Sequence, residues 1–347
     1  MKKEFNFVDL KCNDRLSLMN EVDKKEFICE LLNYKLKLRN NLGINNSLTF
    51  GLELEFENIK CDILEFEKLF NNLELTKGNI VELYHDTHLW NIVDDKTLLN
   101  GKEVRTPILT DNQKYWLSLV KVCAFIKKYA SIGPHCAGHI HVGTQILNNK
   151  KEALLNLLKL WGVYENILYR YGYNEYLNQN PEIKYSKPSS IDYLNVYDKM
   201  VNTNYDIETL LLELPGRLKA INFSIATLIS DYKRIAYKDT IEFRSPNGTL
   251  DAVIWQNNVN TFIKLLLSCL DNKFDMDIVL KRQKVLESLE DRFDYNKIYL
   301  DAALELSDII FNNNLDKIYF LRQYIKNNEV SYEAMKRTKK FTIWYNY

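Results

Sequence analysis

From Leu52 the chain alternates strictly. Leu52, Leu54 and Phe56 take one set of positions, and Glu53, Glu55 and Glu57 take the other. An extended strand turns such a period of two into two separate faces. This run therefore requires a sheet that packs on one face and carries three carboxylates on the other. Like charges on one strand face repel, and a strand facing water more often mixes signs. Carboxylates gathered this way are what a hard divalent cation requires. Taken alone, the run also fits a half-exposed strand with a solvated acidic face.

A second alternation lies in residues 135–143, His135-Cys136-Ala137-Gly138-His139-Ile140-His141-Val142-Gly143, which hold three of the five histidines. In a strand, His139 and His141 share one face, and Ile140 and Val142 share the other. By the strand rise the two imidazoles stand about 7 Å apart, close enough to reach one metal ion or one phosphate cluster. Gly138 and Gly143 bracket the pair and would let backbone or ligand approach closely. A strand end with two half-exposed histidines fits the same residues.

Three further stretches repeat the pattern. One runs from Trp90 to Asp94 and Asp95, ending in a polar turn. In another, Glu103 and Arg105 share a face, and Pro107 limits the strand. In the third, Glu242 and Arg244 lie opposite Ile241 and Phe243, ahead of an Asn247-Gly248 turn. Alone, Glu242 and Arg244 would make an ordinary intrastrand pair worth at most about 1 kcal/mol. Together these strands define a sheet with one apolar face and one face rich in carboxylate, imidazole and guanidinium. A nucleotide with divalent metals needs that mixture: carboxylates and a histidine hold the cation, and arginines grip phosphate oxygens in a fork.

Between the strands, apolar spacing predicts helices over 21–42 (stopped by Gly43), 61–78, 111–130 (capped by Asp111), 150–172 and 250–270, with helices again from 276 to 347. The polar segment 174–200, with Pro181 and Pro188, reads as a long loop over a site. Lys+Arg and Asp+Glu each total 46, so the formal charge is zero and no general nucleic-acid surface is expected. No stretch reaches the length of a membrane span, and the N-terminus lacks the apolar run of a signal peptide. Six cysteines without CxxC spacing read as reduced thiols of a cytoplasmic protein.

The motifs in their order resemble the amidoligase family of carboxylate–amine ligases, within the superfamily of glutamine synthetase and glutamate–cysteine ligase. The resemblance rests on Gly51-Leu52-Glu53-Leu54-Glu55, and on Trp90 with Asp95-Lys96-Thr97-Leu98. It continues through Glu103-Val104-Arg105-Thr106-Pro107-Ile108-Leu109, Ala137-Gly138-His139-Ile140-His141-Val142-Gly143 and Lys219-Ala220-Ile221-Asn222. It ends on Glu242-Phe243-Arg244 with Asn247-Gly248-Thr249, and covers about residues 48–265. Lys96 and Thr97 depart from the Gly and Ser usual in that turn.

The resemblance implies an α+β fold, with a curved antiparallel sheet of glutamine-synthetase catalytic type and helices packed on its outer face. It places a catalytic domain at 46–270 between a helical N-terminal extension, 1–45, and a helical C-terminal extension, 271–347, packed on the same domain. It implies ATP- and Mg²⁺-dependent joining of a carboxylate to an amine, on a peptide or amino-acid substrate, through an acyl phosphate. Glu53, Glu55, Glu103 and Glu242 would hold Mg²⁺, and His139 or His141 would touch metal or phosphate. Arg105, Arg217 and Arg244 would hold phosphates or the substrate carboxylate. Asp95 would position or deprotonate the amine. Lys219, Asn222 and Asn247 would contact nucleotide. Two other readings fit the residues: a metal-dependent hydrolase using His139 and His141, and a non-catalytic peptide- or protein-binding module that kept the fold.

Overall fold

The computed structural model describes residues 15–78, 88–147, 150–172, 186–203, 214, 218–223, 240–271, 275–289 and 298–325. Its strands are β1 (Phe50–Phe56), β2 (Asn91–Val93), β3 (Lys102–Arg105), β4 (Gly138–Gly143), β5 (Ile221–Asn222) and β6 (Thr240–Phe243). They form one open six-stranded sheet in the order β2-β3-β1-β4-β6-β5, antiparallel at every pairing. The alternating strand β1 thus lies inside the sheet, flanked by the Glu-x-Arg strand and the histidine strand.

Register decides which side chains meet, because residues paired across strands share a face. Glu53 lies opposite Arg105 on β3 and His139 on β4, and Glu55 lies opposite Glu103. His141 lies opposite Glu242, which in turn faces Asn222. The other face carries Leu52, Leu54, Val104, Ile140, Val142, Ile221, Ile241 and Phe243, all buried.

Among the described residues there are nine α-helices: α1 (Glu21–Asn33), α2 (Ile63–Asn71), α3 (Gln113–Tyr129), α4 (Lys151–Gly172), α5 (Ser190–Val201), α6 (Ala252–Leu270), α7 (Met276–Glu287), α8 (Leu300–Ile310) and α9 (Asn314–Ile325). Several of them cover the apolar face through aromatic pairs, which add directional contacts to the burial of area. Trp116 of α3 stacks on Phe50 at 5.3 Å. Phe262 of α6 stacks on Phe243 at 4.4 Å, with Trp161 of α4 at 5.8 Å. No helix among the described residues is long and apolar enough to cross a membrane.

Four sequence expectations change, the simplest being that the helix expected over 61–78 spans only Ile63–Asn71. The first helix ends at Asn33 rather than running on to Gly43. Beyond it, tertiary partners take the backbone: Lys37 N–H donates to Tyr319 Oη (3.2 Å), Arg39 N–H to Gln256 (2.8 Å) and Leu42 N–H to Asp111 (2.7 Å). Asp111 is spent on that strap and on the Trp116 indole (3.0 Å), so Asn112 caps α3 instead. Residues 190–201 form a helix rather than a loop. Its first amide donors are satisfied from outside: the buried Glu165 of α4 accepts from Ser189 N (2.7 Å) and Ser190 N (2.9 Å). A carboxylate there also suits the positive end of the helix dipole. The preceding residues 173–185 lie outside the described residues.

The strap from 37 to 44 and helix α9 are tied to α6 around Asp316, which accepts from Arg39, Lys264 and Asn260. Helix α6 begins directly after the loop that follows β6, so its start helps set that loop. Asp251 caps it by accepting from Val253 N–H at 2.8 Å. Asp251→Ala is expected to lower stability by about 1 kcal/mol, read as a lower urea midpoint at an unchanged slope.

Candidate active site

The polar face of the sheet is not a solvated one. Glu53, Glu55, Glu103, His139, His141, Asn222 and Glu242 are all buried, with Glu103 and Glu242 only 2% exposed. Buried charges must be paired or hold a cation, and here the side chains divide into two groups. Ligand-capable atoms of Glu53, His141 and Glu242 lie within 4.8 Å of one another, as do those of Glu55, Asp95 and Glu103. The two groups are neighbours because Glu53 and Glu55 are successive positions on one face of β1.

His139 sits between them. Its Nδ1 lies 3.0 Å from Glu53 Oε2 and 3.5 Å from Glu242 Oε1, and its Nε2 lies 3.9 Å from Glu55 Oε1. Burial and Arg244 both disfavour a charged ring. The hydrogen bond to Glu53 and the charges of Glu55 and Glu242 outweigh them, so the imidazole is raised to about 9. At neutral pH His139 is therefore an imidazolium, the resident counter-charge of the site.

The carboxylates respond differently. Burial pushes Glu53 upward, but His141 and the bond from His139 prevail and hold it well below the usual carboxylate range. Burial also opposes ionisation of Glu242, yet His139, His141 and Arg244 keep it lowered. In the second group burial wins. It raises Glu55 to about 7 against the pull of His139 and the Ala137 N–H, with Glu103 and Asp95 adding repulsion. Glu103 is raised too, by burial and then by Glu53, with Arg105 opposing.

Neighbouring groups orient these side chains. Asn222 Nδ2 donates to Glu242 Oε2 at 2.7 Å, and Arg244 pairs with the other oxygen. Arg105, half-exposed, donates through Nε to Glu103 and lies 3.6 Å from Glu53. Ala137 N–H donates to Glu55 Oε2 at 2.6 Å. Asp94 is drawn to Lys102, while Asp95 Oδ1 accepts from Thr97 N (2.7 Å) and Oγ1 (2.6 Å) and holds its turn against the second group.

Most of the residues singled out by sequence thus converge: Glu53, Glu55, Glu103, Glu242, His139, His141, Arg105, Arg244, Asp95 and Asn222. Asn247 lies beside them, in a bridge to Ala137. Lys219 is not brought to the group. It falls on the strand parity of Ile221 rather than Asn222, and its Nζ pairs with Asp192 of α5. Arg217 lies outside the described residues.

The third glutamate of the alternating run, Glu57, is neither solvated nor part of either group. Its Oε1 accepts from Leu99 N at 2.8 Å and meets His135 Nδ1 at 3.0 Å, fastening the Asp95 loop to the end of β1. Gly138 serves packing rather than ligand approach, since a Cβ there would fall 2.8 Å from the Trp255 ring. Two contributors were not singled out from the sequence. The Ala137 amide has no side-chain signal at all. Thr240 Oγ1, 3.1 Å from His141 Nδ1, was legible by parity, being two residues from Glu242.

A family model described as "putative amidoligase enzyme" matches residues 46–266. No curated protein matches the chain. The matched stretch begins just before β1 and ends within α6, so it contains every strand of the sheet and every member of both carboxylate groups. With the motifs matched over more than half its length, the chain belongs to the amidoligase family, enzymes named for forming amide bonds.

Proposed function

We propose that the protein is an ATP- and Mg²⁺-dependent carboxylate–amine ligase that forms an amide or isopeptide bond through an acyl phosphate, on a peptide or amino-acid substrate. The observation that carries this reading is the pair of carboxylate groups side by side on one sheet face, with Arg105 and Arg244 at their edges. The residues fit divalent cations. His141 Nε2 is buried without a hydrogen-bond partner, and Glu55, raised by burial, is crowded further by Glu103 and Asp95. The reading also takes the sheet to be of the curved glutamine-synthetase type.

Glu53, His141 and Glu242 would hold one cation, and Glu55, Asp95 and Glu103 a second. Bound Mg²⁺ would neutralise phosphate oxygens there. This moves Asp95 from the amine to the cation, and separates the two histidines: His141 is the ligand, and His139 the charged donor facing phosphate. Arg105 and Arg244 orient the γ-phosphate and the substrate carboxylate. A carboxylate oxygen bonds to the γ-phosphorus as the bond to the ADP oxygen breaks. The amine then bonds to the acyl carbon, phosphate leaves, and the amine loses a proton to a base at the site. Placement and charge neutralisation supply the catalysis, without an enzyme nucleophile. The five described cysteines are free thiols, which suits the cytoplasm, where ATP is abundant.

The test is to incubate the protein with Mg·ATP and mixed amines and ¹⁸O-labelled carboxylates, following ADP release and product mass. Transfer of ¹⁸O from carboxylate to inorganic phosphate is expected, because the acyl phosphate passes that oxygen on. Substrate hydrolysis without nucleotide would instead identify a hydrolase, and failure to bind Mg·ATP a binding module.

A further inference from the structure

His141 is held at both ring nitrogens by different means. The residue is 5% exposed, Nδ1 lies 3.1 Å from Thr240 Oγ1, and Nε2 lies 3.2 Å from Glu53 Oε1, outside hydrogen-bonding geometry. Thr240 opens β6 opposite Gly143 and shares the face of Glu242 two residues on. The position directly opposite His141 on β1 is Gly51, which has no side chain to crowd the ring.

We propose that Thr240 is a positioning residue that orients the His141 ring and accepts a hydrogen bond from Nδ1–H when Nε2 holds a cation, and thereby makes Glu53, His141 and Glu242 a competent cation site. The proposal rests on the reading that this group holds a cation. A neutral imidazole has one N–H and one lone pair. A cation takes the lone pair, so the proton must sit on the other nitrogen and find an acceptor there. With the cation at Nε2, Nδ1–H donates to the Thr240 hydroxyl. Without it, the hydroxyl rotates and donates to Nδ1, and Nε2–H faces the Glu53 carboxylate. One proton leaves Nε2 and one joins Nδ1, so the ring's charge is unchanged. A hydroxyl serves both states because it donates and accepts; a carboxylate in its place would serve only one.

Thr240→Val keeps the branched shape and removes only the hydroxyl, and Thr240→Ser keeps the hydroxyl. The probe is Mn²⁺ alone, titrated into the full chain while the electron paramagnetic resonance signal of free Mn²⁺ is followed. Wild type is expected to bind at two sites. Thr240→Val should weaken one by about tenfold or more and leave the other unchanged, while Thr240→Ser stays within about threefold of wild type. Melting by circular dichroism checks folding, and if the valine variant does not fold, Thr240→Ala against Thr240→Ser makes the same comparison. Unchanged binding in Thr240→Val, equal loss at both sites, or equal loss in the serine variant would overturn the role of Thr240. Wild-type protein that binds no Mn²⁺ would refute the cation reading itself, and the proposal with it.

Discussion

Glu53→Gln is expected to reduce ATP turnover by at least about 100-fold, since under the proposed function Glu53 binds the cation directly, and its loss should exceed the range seen for groups that merely support ligands. Glu53 contacts both histidines and an arginine of the site. It meets His139 at 3.0 Å, His141 at 3.2 Å and Arg105 at 3.6 Å. Glutamine keeps the shape but removes the charge that balances these groups, and turns an amide NH₂ toward donors. The same change should lower the melting temperature of the metal-free protein at neutral pH. The sign follows from the lowered folded pKa: the stabilisation is present above the ordinary carboxylate value of 4.5 and is lost as pH falls through the folded value. The gap between wild type and variant should therefore narrow in acid. Steady-state ADP release and calorimetric melting at two pH values measure both effects, and wild-type turnover in the variant would remove Glu53 from the cation site.

Cation affinity should fall steeply in acid, and the second group should account for it. Glu55, raised to about 7, must give up its proton before it can bind a cation. Well below that value the affinity of the Glu55–Asp95–Glu103 group is expected to drop about tenfold per pH unit, giving about 50-fold between pH 7 and pH 5. Near pH 6 binding should release close to one proton, and near pH 8 close to none. Titration calorimetry in two buffers of different ionisation heat measures the release directly, and affinity independent of pH from 6 to 8 would rule the group out. Without cation the sign reverses. A raised carboxylate stabilises the fold below its unfolded value of 4.5 and loses that contribution as pH rises through about 7. His139 acts in the same direction over a higher window, from 6.5 to about 9. Added Mg²⁺ should therefore raise the melting temperature more at pH 8 than at pH 6.

Much of this site was legible before the fold. Parity alone put Glu53 and Glu55, His139 and His141, Glu103 and Arg105, and Glu242 and Arg244 each on one face, and the structure keeps every one of those pairs together. The same parity was available for Lys219 and would have set it apart from Asn222. Residue type was less informative than position. Glu57 continues the acidic run, yet serves the Leu99 amide and His135, because it lies past the end of β1 and beyond the site. Asp111 has the chemistry of a helix cap, but its carboxylate is claimed by the amides of Leu42 and Ile44, far away in sequence. Residues 190–201 read as a loop because the carboxylate that caps their helix, Glu165, sits on a different element.

The sequence by itself determined which side chains share a face, because alternation is a local property of an extended backbone and needs no partner. Tertiary structure decided which of those faces meet. Packing of Trp116, Trp161 and Phe262 on the apolar side brings the strands into a single sheet with β4 between β1 and β6. That order sets His141 among Glu53 and Glu242, and leaves His139 between the two carboxylate groups as their counter-charge. Strand order and register depend on contacts between residues far apart in the chain, so they set the distances, the burial and the proton affinities that turn separate motifs into one site.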